Sequence, residues 1–162
     1  MCMATEAGEF IVGACVQHCF DCSIILYNVR VPGGGLEGLQ ELDVVGLNLK
    51  DRRAYLCEVT THLHGMRPQV VTRIIKKHEQ QCKYASLMLE GFTSRCMLWS
   101  PLVFPAQVKQ LEAVRGLELV VNHDFKKHVD KLRAIAKKTK HDLGNPFMRT
   151  LQILEHLKQE KI

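Results

Sequence analysis

Apolar positions change their period several times along the chain, and each change marks an element. Residues 5–20 place Phe10, Ile11, Ala14 and Cys15 on one helical face, with Thr5 as the N-cap. Residues 23–31 (Ser-Ile-Ile-Leu-Tyr-Asn-Val-Arg-Val) form a strand-like run that ends at Pro32 and Gly33-Gly34-Gly35. Two more strand-like runs follow, Glu41-Leu42-Asp43-Val44-Val45-Gly46-Leu47-Asn48-Leu49 and Tyr55-Leu56-Cys57-Glu58-Val59-Thr60. The turn-like Lys50-Asp51-Arg52-Arg53 separates them. From Pro68, at a first helical position, Val70, Val71, Ile74, Ile75, Cys82 and Ala85 recur at helical spacing until Gly91. A strand over 95–100, a short helix over 106–114 and a strand over 116–121 come next. A basic amphipathic helix covers 125–139. The last helix, opened by Asn145 and Pro146, carries Phe147, Leu151, Leu154 and Leu157 inward.

A hairpin-rich beginning followed by helical crossovers predicts an α/β fold, a mixed central sheet of about five strands flanked by helices on both faces. At 162 residues, without repeat or linker, one domain over 1–162 is expected, its core over about 6–122 and a C-terminal helical extension over about 123–162.

Composition narrows the setting. No apolar run approaches the roughly 20 residues that span a bilayer, so a membrane-spanning role is not expected. The N-terminus lacks a basic segment followed by an apolar stretch, which predicts a cytoplasmic protein. Seven cysteines, an odd number scattered along the chain, predict reduced thiols. The net charge of +5 is unevenly placed: 126–140 holds seven Lys/Arg against the single acid Asp130, and Arg67, Arg73, Lys76 and Lys77 form a second basic group. Such patches favour an anionic partner, nucleic acid before a membrane surface.

The sharpest chemical signal is a pair of acids inside apolar strands. A carboxylate is costly to bury without compensation, yet Asp43 and Glu58 both interrupt such runs. Leu56, Glu58 and Thr60 share one strand face, and Asp43 paired across from Glu58 puts both carboxylates on it. Two such groups suit a hard divalent cation. In the alternative, Asp43 sits at a strand end and Glu58 pairs with Arg52 or Arg53.

Residues 6–100 resemble the PD-(D/E)XK nuclease superfamily, the restriction-endonuclease-like fold. The likeness rests on an acid in the first helix (Glu6 or Glu9), the hairpin Asp43, and Glu58 where the family has Glu-x-Lys. The layout from Glu6 to Thr60 is similar to that of Holliday-junction resolvase-type housekeeping nucleases. Gln80 and Tyr84 resemble the Gln-x-x-x-Tyr element of the exonuclease branch. The resemblance implies metal-dependent hydrolysis of DNA phosphodiester bonds, with Asp43 and Glu58 binding Mg²⁺ (or Mn²⁺) and Glu9 assisting. It makes Glu9, Asp43, Glu58, Thr60 and Gln80 the catalytic positions. Arg73, Lys76, Lys77, Lys126, Lys127, Lys137 and Lys138 would hold the phosphate backbone. The fold also admits a homodimer. One position departs from the pattern: Thr60 stands where the family has its lysine, and a neutral hydroxyl cannot stabilise developing negative charge as an ammonium does. Some members bring that cation from another element, for which Lys50, Arg73, Lys76 and Lys77 are candidates here. Others keep the fold as a catalytically degenerate module that binds nucleic acid or a protein partner.

Other motifs are weaker. Cys15-x-x-x-Cys19-x-x-Cys22 has the spacing of the radical-SAM iron–sulfur motif, but 162 residues cannot build most such barrels. His62 and His64 with Cys57 suggest zinc, yet no second ligand pair follows. Trp99, Tyr27 and Phe92 read as core. Gly33-Gly34-Gly35 lacks the Lys-Ser/Thr ending of a phosphate loop and reads as a flexible, substrate-facing hairpin loop.

Overall fold

The computed structural model describes residues 5–31 and 41–158; the Gly33-Gly34-Gly35 loop lies outside the described residues. The elements are α1 (Ala7–Cys19), β1 (Ile24–Arg30), β2 (Glu41–Asn48), β3 (Arg53–Val59), α2 (Pro68–Met88), β4 (Thr93–Ser100), α3 (Pro105–Glu112), β5 (Leu117–Val121), α4 (His123–Ala136) and α5 (Pro146–Leu157). They follow the expected order. One five-stranded sheet runs β1-β2-β3-β4-β5. Its first three strands pair antiparallel and its last two join in parallel. The fold is α/β with a mixed sheet flanked by helices, as expected.

Local chemistry explains the boundaries. Pro68, Pro105 and Pro146 each stand at the start of a helix, where the missing N–H costs nothing. Asn145 also caps α5, its Oδ1 accepting the Met148 N–H at 3.0 Å. The start of α1 corrects the expectation of Thr5 as cap. Glu6 is the N-cap, in a reciprocal box with Glu9, because Glu9 can reach back to the Glu6 amide. The β2–β3 turn is held by Asn48, whose Oδ1 accepts the Asp51 N–H at 2.9 Å while Arg52 takes the left-handed conformation.

Both sheet faces are covered. One carries α1, α4 and α5 over Val44, Tyr55, Cys57, Met97 and Trp99. The other carries α2 and α3 over Leu42, Val45, Leu56 and Leu98. Residues 123–158, expected as an extension, supply Phe125, Leu132, Met148 and Leu151 to the same cluster as α1. Two helix faces are rotated from the expected ones. Cys82 is exposed in α2, while Lys77, His78 and Gln81 turn inward. In α5, Leu154 and Leu157 are exposed, while Met148, Leu151, Gln152 and Glu155 are buried. Among the described residues, no helix is long and apolar enough to cross a membrane.

Candidate active site

The register of β2 on β3 brings the two acids together. Val44 pairs with Cys57 and Val45 with Leu56, so one step further sets Asp43 opposite Glu58 on the face covered by α2. Both are buried. Asp43 Oδ2 accepts the Val59 N–H at 2.7 Å. Neither acid takes Arg52 or Arg53 as its counter-ion, and both arginines are exposed. The cation comes from α2. Lys77 Nζ stands 3.0 Å from Asp43 Oδ1 and 2.8 Å from Glu58 Oε2, with its side chain only 4% exposed. Of Lys50, Arg73, Lys76 and Lys77, Lys77 is thus the one between the carboxylates. Lys50, Arg73 and Lys76 are exposed.

The electrostatics follow from crowding. Burial, then the Asp43 charge, push the Glu58 carboxyl up to about 8, against the pull of Lys77. Burial alone would lower the Lys77 ammonium, but Glu58 and Asp43 outweigh it and hold the group above its ordinary value. Glu9 is raised too, by burial first and partly by Asp43, which puts its carboxylate in the same field. Glu9 reaches this edge because Gly8 lets α1 ride directly on the exit of β3. A Cβ at Gly8 would lie 2.3 Å from Thr61 Cγ2. Thr60 itself is half-buried, and its amide donates to the Trp99 carbonyl at 2.9 Å.

Two neighbours were not singled out from sequence. Asn28 lies in β1 between Tyr27, paired with Val44, and Val29, paired with Leu42, which puts it beside Asp43. Its φ is 53°, a conformation that asparagine tolerates better than most residues. Its Nδ2 donates to Thr5 Oγ1 at 3.3 Å, and its side chain pulls the Glu9 carboxyl down against the larger effect of burial. Gln81, one turn beyond Lys77, is buried and donates to the carbonyls of Leu56 (2.8 Å) and Met97 (3.1 Å). Gln80, the expected motif residue, is only half-buried, whereas Tyr84 is buried in the core. The signal for Lys77 and Gln81 was their place in the inward stripe through Val71, Ile74 and Tyr84, at steps of three and four.

The remaining basic candidates are spread out. α4 starts where β5 ends, so Lys126 and Lys127 leave from the same end of the parallel strands as Glu58, on the face opposite α2. Lys137 and Lys138 stand eleven residues after Lys126 and Lys127, about 16 Å along the helix axis. Lys126 pairs with Asp130, Lys127 with Asp124 at 2.9 Å, and Lys137 with Glu155 at 3.5 Å. Of the other metal candidates, Cys57 and Cys15 are buried in the apolar cluster under α1, while His62 and His64 are exposed.

No family model and no curated protein matches this chain. Among solved structures it is similar to a crystal structure of a protein of unknown function, at 21% identity with a TM-score of 0.40. That match covers 68% of this chain and 56% of the other.

Proposed function

We propose that this chain is a metal-dependent nuclease of the PD-(D/E)XK type, with Asp43, Glu58 and Lys77 as its reacting centre. The observation that carries the proposal is Lys77, an ammonium within 3.0 Å of both carboxylates. It offers from a helix the cation that the strand lacks at Thr60. The donor set fits a hard divalent ion. Asp43 and Glu58 set two carboxylates against the single ammonium, and Glu9 adds to the field at Asp43, an excess of negative charge that a proton on Glu58 or a cation reduces. Asp43 and Glu58 would hold Mg²⁺ or Mn²⁺, which when bound polarises a phosphate and acidifies an attacking water.

The chain's own groups supply the rest. Lys77 positions the carboxylates and lies where negative charge develops on the phosphoryl oxygens. Asp43 is oriented by the Val59 amide, and Glu9 adds negative field from α1. Lys76 and Arg73, exposed on α2, and Lys126 and Lys127 on α4 are the proposed contacts to DNA phosphates. The six free cysteines among the described residues fit a reducing compartment, the cytoplasm.

The alternative is a catalytically degenerate module that binds nucleic acid or a protein partner. It is favoured by one feature: the Asp43–Lys77–Glu58 cluster and the Val59 amide already satisfy one another without an ion. Incubation of duplex, single-stranded and branched DNA with Mg²⁺ or Mn²⁺ separates the two. A nuclease cleaves at least one substrate, and Asp43→Ala and Glu58→Ala each abolish cleavage while the fold is kept. Undiminished cleavage in either variant removes the proposed site. Absence of both cleavage and calorimetric Mg²⁺ binding leaves the module.

A further inference from the structure

We propose that His78, Cys82 and Cys96 form a second metal centre, distinct from the carboxylate site, for zinc or a similarly soft divalent cation. Their nearest ligand atoms all lie within 4.8 Å of one another. His78 and Cys82 are four residues apart on α2 and so share one of its faces. Cys96 rises from β4 on the face that α2 covers. His78 Nε2 stands 3.7 Å from Cys82 Sγ. A tetrahedral ion with bonds of about 2.0 Å to nitrogen and about 2.3 Å to sulfur holds such atoms about 3.6 Å apart.

The hydrogen bonds around His78 point to a cation. Both amide protons of Gln81 go to backbone carbonyls, Leu56 and Met97. Its Oε1, 3.4 Å from His78 Nδ1, is therefore an acceptor facing that nitrogen. A proton on Nδ1 meets that acceptor and leaves the lone pair on Nε2, the atom that faces the thiol. The carbonyl oxygen of Arg115 lies 3.2 Å from Nε2 as well. Acceptors thus flank both ring nitrogens, a demand that a second proton or a metal cation at Nε2 meets. Gln81 then acts as the outer partner that orients a ligating histidine.

Donor chemistry keeps the two centres apart. Imidazole and two thiolates suit zinc, whereas the oxygens of Asp43 and Glu58 suit magnesium or manganese. Binding releases the two thiol protons to solvent and ties α2 to β4 one residue beyond Lys77. Cys82 is exposed, so the ion enters from solvent, and its fourth position takes water.

Cobalt(II) is the probe, added to reduced, chelator-treated full-length protein. The expected result is a sulfur-to-cobalt charge-transfer band in the near ultraviolet with tetrahedral visible bands, saturating at an equimolar ratio and bleached by zinc. Cys82→Ser and Cys96→Ser each weaken the charge-transfer band, the double variant loses it, and Asp43→Asn keeps it. No band with the unaltered protein, an undiminished band in Cys82→Ser, or loss of the band in Asp43→Asn overturns the proposal. A second measurement needs no variant: alkylation mapped by mass spectrometry, in which zinc slows modification of Cys82. Equal rates with and without zinc, or a Cys82–Cys96 disulfide that persists in reductant, also overturn it.

Discussion

Replacing Glu58 with glutamine keeps the shape of the side chain and removes the proton-binding group at the centre of the site. In the folded chain this carboxyl sits at about 8, against an ordinary value of 4.5, because burial and the Asp43 charge oppose its ionisation. The folded state therefore holds the proton more tightly than the unfolded state. The stability this contributes is fully present below about pH 4.5 and is lost as pH rises through about 8. At about 1.4 kcal/mol per tenfold in proton affinity, the interval from 4.5 to 8 amounts to about 5 kcal/mol, of which about 3 kcal/mol is already lost at pH 7. That is a large part of the roughly 5–15 kcal/mol that holds a domain together. Glu58→Gln carries no such dependence. The variant should match the natural protein near pH 4.5, exceed it by about 3 kcal/mol at pH 7, and exceed it by about 5 kcal/mol above pH 8. Urea unfolding in chelator, followed by the emission of the single, fully buried Trp99, measures the gap at each pH. Titrating groups away from the cluster cancel in the difference. Mg²⁺ should narrow the gap at pH 9, since the ion takes the place of the proton in the natural protein alone. A gap that does not change with pH, or a natural protein that is the more stable at pH 9, refutes the reasoning.

Lys77→Met should lower any Mg²⁺-dependent cleavage by about 10²–10³-fold while circular dichroism stays unchanged; retained single-turnover rates would assign the cation to another residue. Lys127→Ala should reduce the salt slope of DNA binding by about one, whereas Lys138→Ala, at the far end of α4, should leave it unaltered. Fluorescence anisotropy across a salt series reads both, and equal slopes for the two variants would refute the proposed face. Gly46→Ala should destabilise by about 1–3 kcal/mol in urea. Its Cβ would lie 2.2 Å from Val16 Cγ1, where α1 packs on β2.

The strand pair was legible because alternation is a rule with period two. Once 41–49 and 55–60 are strands joined by a short turn, Asp43 and Glu58 have few other places to go. The source of the cation was not legible. Lys76 and Lys77 are neighbours on a helix, and only packing decides which of them faces the sheet. Ile75 and Cys82 drew the expected apolar face of α2 about one residue away from the true one. Gln80 was singled out by its spacing to Tyr84, and the structure leaves it half-buried beside the buried Gln81. In α5, Leu154 and Leu157 are leucines on an exposed side, so the hydrophobic pattern pointed the wrong way there. Asn28 escaped notice because nothing in its strand-like surroundings announces a positive φ. The His78–Cys82–Cys96 group joins α2 to β4, the next element of the chain, and Cys96 stands fourteen residues beyond Cys82, outside any tight ligand pair.

A lysine on a strand would be pinned by the ladder, whereas Lys77 rides on a cylinder. Successive residues on that cylinder are about 100° apart, so a roll of α2 by one position would swing Lys76 or His78 toward the acids and carry the ammonium out of reach. The azimuth of α2 is thus an on–off coordinate for the centre. Whatever grips its flank holds the charge in register: the Gln81 bridge to β3 and β4, or a ligand seated beside it.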